Sequence, residues 1–189
     1  DIANVTNITA TYSGTVTDSL ANLADSGSIT TNFSRARGDD TGVDVVVNDA
    51  TGTLNAADIA AVTAKTTGTV TLESAQTISG TGTAVTAALI TNAATLSAAS
   101  NATVTGNVTA EVAGNIANVT DITAAFSGTI TDTLANLAAS GSITTNFSRA
   151  RGDDGDVNVV VSDGTGTLSA ADLGAVTAKT TGTVTLDNA

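Results

Sequence analysis

The sequence predicts a β-solenoid with short helices: a repeat protein of strand–strand–helix coils of about 28 residues whose strands pair in parallel sheets. Three observations predict it. Residues 2–75 recur at 116–189 with a constant offset of 114 and no gap, and only 16 of the 74 aligned pairs differ. Inside that unit, Thr-Val-Thr-like segments recur around Val70, Val104, Ile130, Val160 and Val184, at gaps of 34, 26, 30 and 24 residues. The composition also leaves little material for one thick core. Cys, Met, Trp, His and Pro are absent, and Tyr12, Phe33, Phe126 and Phe147 are the only aromatic residues. Large aromatic and Met side chains normally supply much of a globular core. Val, Ile, Leu and Ala must supply it here, which favours thin layers repeated many times. Disorder is disfavoured, because 41% of residues are hydrophobic and only 13% charged.

The expected organisation is one continuous solenoid over 1–189, with a partial repeat at 1–75, its remainder at 76–115 and the start of a second at 116–189. Both ends cut through the pattern, so the natural chain is expected to continue in both directions.

Each coil is expected to open with a strand. In the first, Thr69-Val70-Thr71-Leu72 is followed by a second strand, Thr77-Ile78-Ser79, and a helix over 83–92. The next has Thr95-Leu96-Ser97, Thr103-Val104-Thr105 and a helix over 110–119, where Val112, Ile116 and Val119 share one face. The third has Asp121-Ile122-Thr123, Thr129-Ile130-Thr131 and a helix over 134–140. The fourth has Ile143-Thr144-Thr145, a long loop, a strand over 157–161 and a helix over 170–179. Asn55 and Ser169 are expected N-caps, with Asp58 and Asp172 in the first turn. Gly27 and Gly141 are expected to stop helices. Helices this short are marginal alone, so their apolar stripes need neighbouring coils. At a strand spacing of about 4.8 Å, four coils advance about 19 Å per repeat.

The least uniform segment is Phe33-Ser34-Arg35-Ala36-Arg37-Gly38-Asp39-Asp40 and its unchanged copy at 147–154. It holds all four arginines of the chain. Three readings stand open. One is a projecting surface loop closed by local Arg–carboxylate pairs. Another is a self-assembly contact through Phe33, Arg35, Arg37, Phe147, Arg149 and Arg151, since Arg and Phe suit interfaces. The third is a calcium site using Asp39, Asp40, Asp44, Asp153, Asp154 and Asp156. Arg37-Gly38-Asp39 also matches an integrin-binding tripeptide. The Thr-X-Thr strands raise ice binding, although Val45/Val47 and Val159/Val161 interrupt the ranks of threonine. Sequons at Asn4, Asn7, Asn32, Asn101, Asn107, Asn118 and Asn146 permit glycosylation in a secreted protein.

A net charge of −12 argues against nucleic acid and anionic membranes as partners. No apolar run of spanning length exists, so membrane insertion is not expected. Without His or Cys no Ser-His-Asp or Cys-His constellation can form, and the acidic residues lack an aromatic sugar platform. No enzyme is expected, and no cofactor other than possible calcium.

Thr165-Gly166-Thr167-Leu168-Ser169-Ala170-Ala171-Asp172-Leu173, Lys179-Thr180-Thr181-Gly182-Thr183-Val184-Thr185 and Thr77-Ile78-Ser79-Gly80-Thr81 carry a resemblance. They resemble the Ala/Thr/Gly-rich tandem repeats of giant bacterial cell-surface and adhesin proteins, of the marine cyanobacterial type. The resemblance implies an extracellular or cell-surface location and a repetitive stalk, surface layer or filament. The expected function is a structural segment that self-stacks into a rod, with other copies of the repeat as partners. The alternative is a multivalent binding module for calcium, glycan or ice. The Arg-rich segment departs from the simple repeat.

Overall fold

A computed structural model describes residues 9–187, which divide after residue 100 into two compact units. The segment 2–6 and the sequons at Asn4 and Asn7 lie outside the described residues. Eight α-helices and several parallel sheets make the described chain a mixed α/β protein. Among the described residues no helix is long and apolar enough to cross a membrane.

The first unit runs β1 (Val16–Asp18), α1 (Leu20–Leu23), β2 (Ala24–Asp25), β3 (Ser28–Ile29), α2 (Thr31–Asp39), β4 (Val45–Val47), β5 (Thr53–Asn55), α3 (Ala56–Thr63), β6 (Val70–Leu72), β7 (Thr77–Thr81), α4 (Gly82–Thr86), a π-helical turn (Ala87–Thr91) and β8 (Thr95–Leu96). Strands β1, β4, β6 and β8 form one sheet in that order, all parallel. Val16 pairs with Val45 and Val45 with Val70; Val47 pairs with Leu72 and Leu72 with Leu96. A second parallel pair, β5 with β7, aligns Leu54 with Ile78. Alternate strand residues face opposite sides, so Val45, Val47, Val70 and Leu72 point inward and are buried. Burying each such side chain contributes about 1.5–3 kcal/mol.

From residue 129 onward the second unit repeats this order, except that residues 167–169, the counterpart of Thr53–Asn55, form no strand. It runs β9 (Ser100–Thr105), α5 (Ala110–Ile116), β10 (Ile122–Phe126), β11 (Thr129–Asp132), α6 (Leu134–Leu137), β12 (Ala138–Ala139), β13 (Ser142–Ile143), α7 (Thr145–Asp153), β14 (Asn158–Val161), α8 (Ala170–Thr177) and β15 (Val184–Leu186). Strands β11, β14 and β15 pair in parallel, aligning Ile130 with Val159 and Val159 with Val184. Helix α5 packs on α7. A Cβ at Gly114 would stand 2.6 Å from the Asn146 Cα, so the two backbones touch through the missing side chain.

Five expectations change. The long loop of the fourth coil is a helix, α2 in one unit and α7 in the other. Thr30 and Thr144 cap these helices by accepting from the Phe33 and Phe147 N–H. The helix expected over 134–140 stops after Leu137, and the chain turns into the two-residue hairpin β12–β13, as β2–β3 does in the first unit. Ser26 and Gly27, like Ser140 and Gly141, all have positive φ, the conformation such a hairpin requires. Gly27 and Gly141 are therefore hairpin residues and not helix stops. Finally, Thr103-Val104-Thr105 does not stand in rank with Val70. The step from Thr71 to its partner Thr95 is 24 residues, and β9 lies beside β10 in another sheet. The same register puts Val46, not Val45 or Val47, level with Thr17 and Thr71.

Candidate functional site

Each copy of Thr-Asn-Phe-Ser-Arg-Ala-Arg-Gly-Asp is a nine-residue helix whose polar ends meet the backbone of other segments. The Thr30 hydroxyl, besides capping, donates to the Asn22 carbonyl at 2.7 Å, and Thr144 does the same to Asn136. The helix is seated by its aromatic residue: Phe33 and Phe147 are buried. They therefore hold the helix in place from the inside. Arg35 and Arg149 remain exposed on the outer face. The Arg37 Nε donates to the Lys65 carbonyl at 2.6 Å, fastening the helix to the end of α3. Its counterpart, the Arg151 Nε, is buried without a hydrogen-bond partner.

The carboxylates at the C-terminal end of the helix accept backbone N–H groups from a segment 28 or 29 residues earlier. Asp39 accepts from the Ala10 N–H at 3.1 Å and Asp40 from Tyr12 at 3.1 Å. In the second unit Asp153 accepts from Ala124 at 2.8 Å and Asp154 from Phe126 at 2.7 Å. Asp44 accepts from Thr69 at 2.6 Å, a task that Asn158 performs for Thr183 at 2.8 Å. Asp156 has no acidic counterpart in the first unit, where Gly42 stands. Burial raises the Asp154 carboxyl above its ordinary 3.8, and the hydrogen-bonded Asp156 carboxylate beside it pushes the same way. The six expected calcium ligands are thus engaged with backbone or with each other. Among the described residues no three carboxylates converge as a metal site.

Other aspartates serve the same purpose. Asp49 and Asp163 accept from the first N–H of α1 and α6, both at 2.6 Å. Asp58 and Asp172 accept from the hairpin glycines Gly27 and Gly141, also at 2.6 Å. Asp132 accepts from Ala110 at 2.9 Å. The separations, 22 to 31 residues, are close to the 24 to 29 residues between paired parallel strands. A carboxylate accepting an N–H is a charge-assisted bond, shorter and stronger than a neutral one. These aspartates therefore link segments that lie 22 to 31 residues apart. Their signal was visible in the sequence: Asp39, Asp40, Asp49 and Asp58 keep their identity at 153, 154, 163 and 172 while neighbours change.

Two further links went unforeseen. In the Lys-Thr-Thr-Gly-Thr segment, the buried Thr66 hydroxyl donates to the Val43 carbonyl at 2.6 Å and accepts from the Gly68 N–H at 2.9 Å. A Cβ at Gly68 would lie 2.5 Å from the Val43 carbonyl oxygen, so only glycine admits that approach. Thr180, Gly182 and Val157 repeat the arrangement. The buried Gln76 amide donates to the Asp49 and Ala50 carbonyls and accepts from Gly52. No family model, curated protein sequence or solved structure matches the chain.

Proposed function

We propose that this chain is a structural repeat segment of an extracellular or cell-surface protein, a solenoid whose coils stack into a rod, stalk or filament. The observation that carries the reading is the common spacing of its long-range links. Parallel strand pairs step by 24 to 29 residues, and the carboxylate–amide bonds span nearly the same distances. This common spacing supports a stack in which neighbouring segments are fastened by sheet pairing and, at several steps, by carboxylate–amide bonds. Repeating the 114-residue unit extends such a stack without new surface chemistry. The acidic, uncharged-core composition suits a long exposed structure that must stay soluble.

The test is imaging of concatenated units by negative-stain electron microscopy. Each added 114-residue unit should lengthen a thin rod by about 19 Å, at four strand spacings per unit. Compact globules, growing equally in all directions, would refute the reading.

A further inference from the structure

Each copy of the repeat carries a polar cleft at the same place. In the second unit Asp132, Asn136, Thr144, Thr145 and Asn146, together with Glu111 of α5, line a cleft of about 340 Å³. In the first unit Asp18, Asn22, Thr30, Thr31 and Asn32 line one of about 390 Å³. The five shared positions are identical in residue type and 114 residues apart. The cleft is open with α5 in place before it in the second unit, and with α3 and α4 in place after it in the first. It is therefore a feature of the repeat itself.

Internal bonds fix its wall. The Asn136 Nδ2 donates to the Asp132 Oδ1 at 2.7 Å, and the Thr144 hydroxyl donates to the Asn136 carbonyl at 2.7 Å. Asn22, Asp18 and Thr30 repeat both bonds at the same distances. Asp132 also accepts from the Thr133 and Ala110 N–H groups, so both of its oxygens are engaged. Other groups are idle. Among the described residues, the side chains of Glu111, Thr145 and Asn146, and of Thr31 and Asn32, make no hydrogen bond. The Asn136 amide keeps its oxygen and one N–H unused.

These groups select the chemistry of a ligand. A divalent cation needs several free carboxylates, and Glu111 is the one idle carboxylate lining the second cleft. An anion would be repelled by Glu111 and Asp132. An apolar ligand would meet the Ala135 methyl and leave amides and hydroxyls unpaired. A neutral polyol fits, because each hydroxyl both donates and accepts, as the Asn amides and Thr hydroxyls require. The volumes lie near the lower end of the range for small-molecule sites, roughly 300–1,000 Å³.

We propose that each cleft binds a neutral saccharide unit, held by Asn136, Thr145, Asn146 and Glu111 in the second unit and by Asn22, Thr31 and Asn32 in the first. No aromatic ring lines either cleft, so a single site is weak and the repeat supplies strength by number. The site goes beyond the stacking role, and neither depends on the other.

Nitrogen-15 NMR of the full chain tests the proposal with D-glucose, D-galactose, D-mannose and N-acetyl-D-glucosamine, each raised to about 100 mM. At least one should shift the side-chain amides of Asn136 and Asn146, and those of Asn22 and Asn32, along saturable curves. Asn146→Ala should weaken binding in the second cleft about tenfold, the factor expected for losing its hydrogen bonds, and leave the first cleft's curve in place. Asn32→Ala should do the converse. Neither side chain bonds within the chain, so neither change should move the melting temperature. Thr145→Ala, at an exposed position, gives a second reading of the same cleft, with a loss of about threefold. The proposal is overturned if none of these sugars moves the four amides, or if the second cleft's shifts survive both Asn146→Ala and Thr145→Ala. Shifts that grow with protein concentration in the absence of sugar would give the cleft to a second copy of the chain, and overturn it as well. Sugar binding by a chain whose concatemers are globular would defeat the rod alone.

Discussion

Replacing Asp153 by alanine removes the acceptor that the Ala124 N–H meets at 2.8 Å. Ala124 is buried, so no water takes the place of the carboxylate. A hydrogen bond to a charged group contributes about 1.5–3 kcal/mol, and a buried orphan N–H costs about 1–3 kcal/mol. Partial exposure of Asp153 argues for the lower end, about 2 kcal/mol. At about 2.1 cal/mol/K per residue, a unit of this size unfolds with an entropy near 190 cal/mol/K, so the expected fall in melting temperature is about 10 °C, or about 5 °C if the whole chain melts together. Asp153→Asn keeps an oxygen in the same place and should lose about half as much. Calorimetry gives the melting temperatures, and amide exchange localises the loss, which should be steepest at Ala124. Both measurements run in calcium and again in chelator. Equal losses for alanine and asparagine, appearing only in calcium, would refute the reasoning and make Asp153 a metal ligand. So would a melting temperature within 1 °C of the parent in every buffer.

Phe147→Ala should destabilise the second unit by about 3–5 kcal/mol in urea titration, because the ring is fully buried and alanine leaves a cavity; Arg149→Ala, exposed on the same helix, should change stability by less than about 0.5 kcal/mol. Gly68→Ala forces a methyl group against the Val43 backbone and should lower the denaturation midpoint by more than Gly38→Ala, where a Cβ meets nothing. Gln76→Leu should cost about 1–2 kcal/mol by the same titration, since the half-buried Asp49 and the exposed Ala50 and Gly52 backbone groups lose the bonds that the buried amide makes to them. For pH, the raised Asp154 carboxyl means that the folded chain holds this proton more tightly than the unfolded chain. Its contribution to stability is present at low pH and is lost as pH rises from 3.8 through the folded value. Asp156→Asn should lower the Asp154 titration midpoint, read from its carboxyl carbon by NMR, and should raise the melting temperature at pH 7 but not at pH 3.

Much of the fold was legible because the repeat and the strand alternation are one-dimensional signals. Val70 and Leu72 alternate with threonine, and the caps Asn55 and Ser169 act where their spacing placed them: Asn55 accepts from Ala57 and Ser169 from Asp172. What escaped were choices set by distant partners. Thr31–Asp39 has a low apolar content and a Gly near its end, which reads as loop; it is a helix because Thr30 caps it and Phe33 is buried. Leu137-Ala138 continues an apolar stripe, yet Ser140 and Gly141 take positive φ and turn the chain into a hairpin. The cluster of carboxylates suggested cation chemistry because local sequence shows acidic neighbours. It does not show that Ala124 or Phe126, 28 or 29 residues earlier, points an N–H at each of them.

Unequal coil lengths carry a consequence for how such a chain finds its own structure. A polypeptide made of near-copies faces a lookup problem, since any Thr-Val-Thr strand can pair with several others. Here the step from β1 to β4 is 29 residues, from β4 to β6 25, and from β6 to β8 24. Each step brings its own contact: the aspartates of α2, the Thr66–Gly68 approach to Val43, the Gln76 amide. The irregularities work as addresses. A strand that docks one coil out of place finds its carboxylate facing no amide and its glycine replaced by a bulkier residue. Uniform coils would have been simpler to copy, and far easier to misfile.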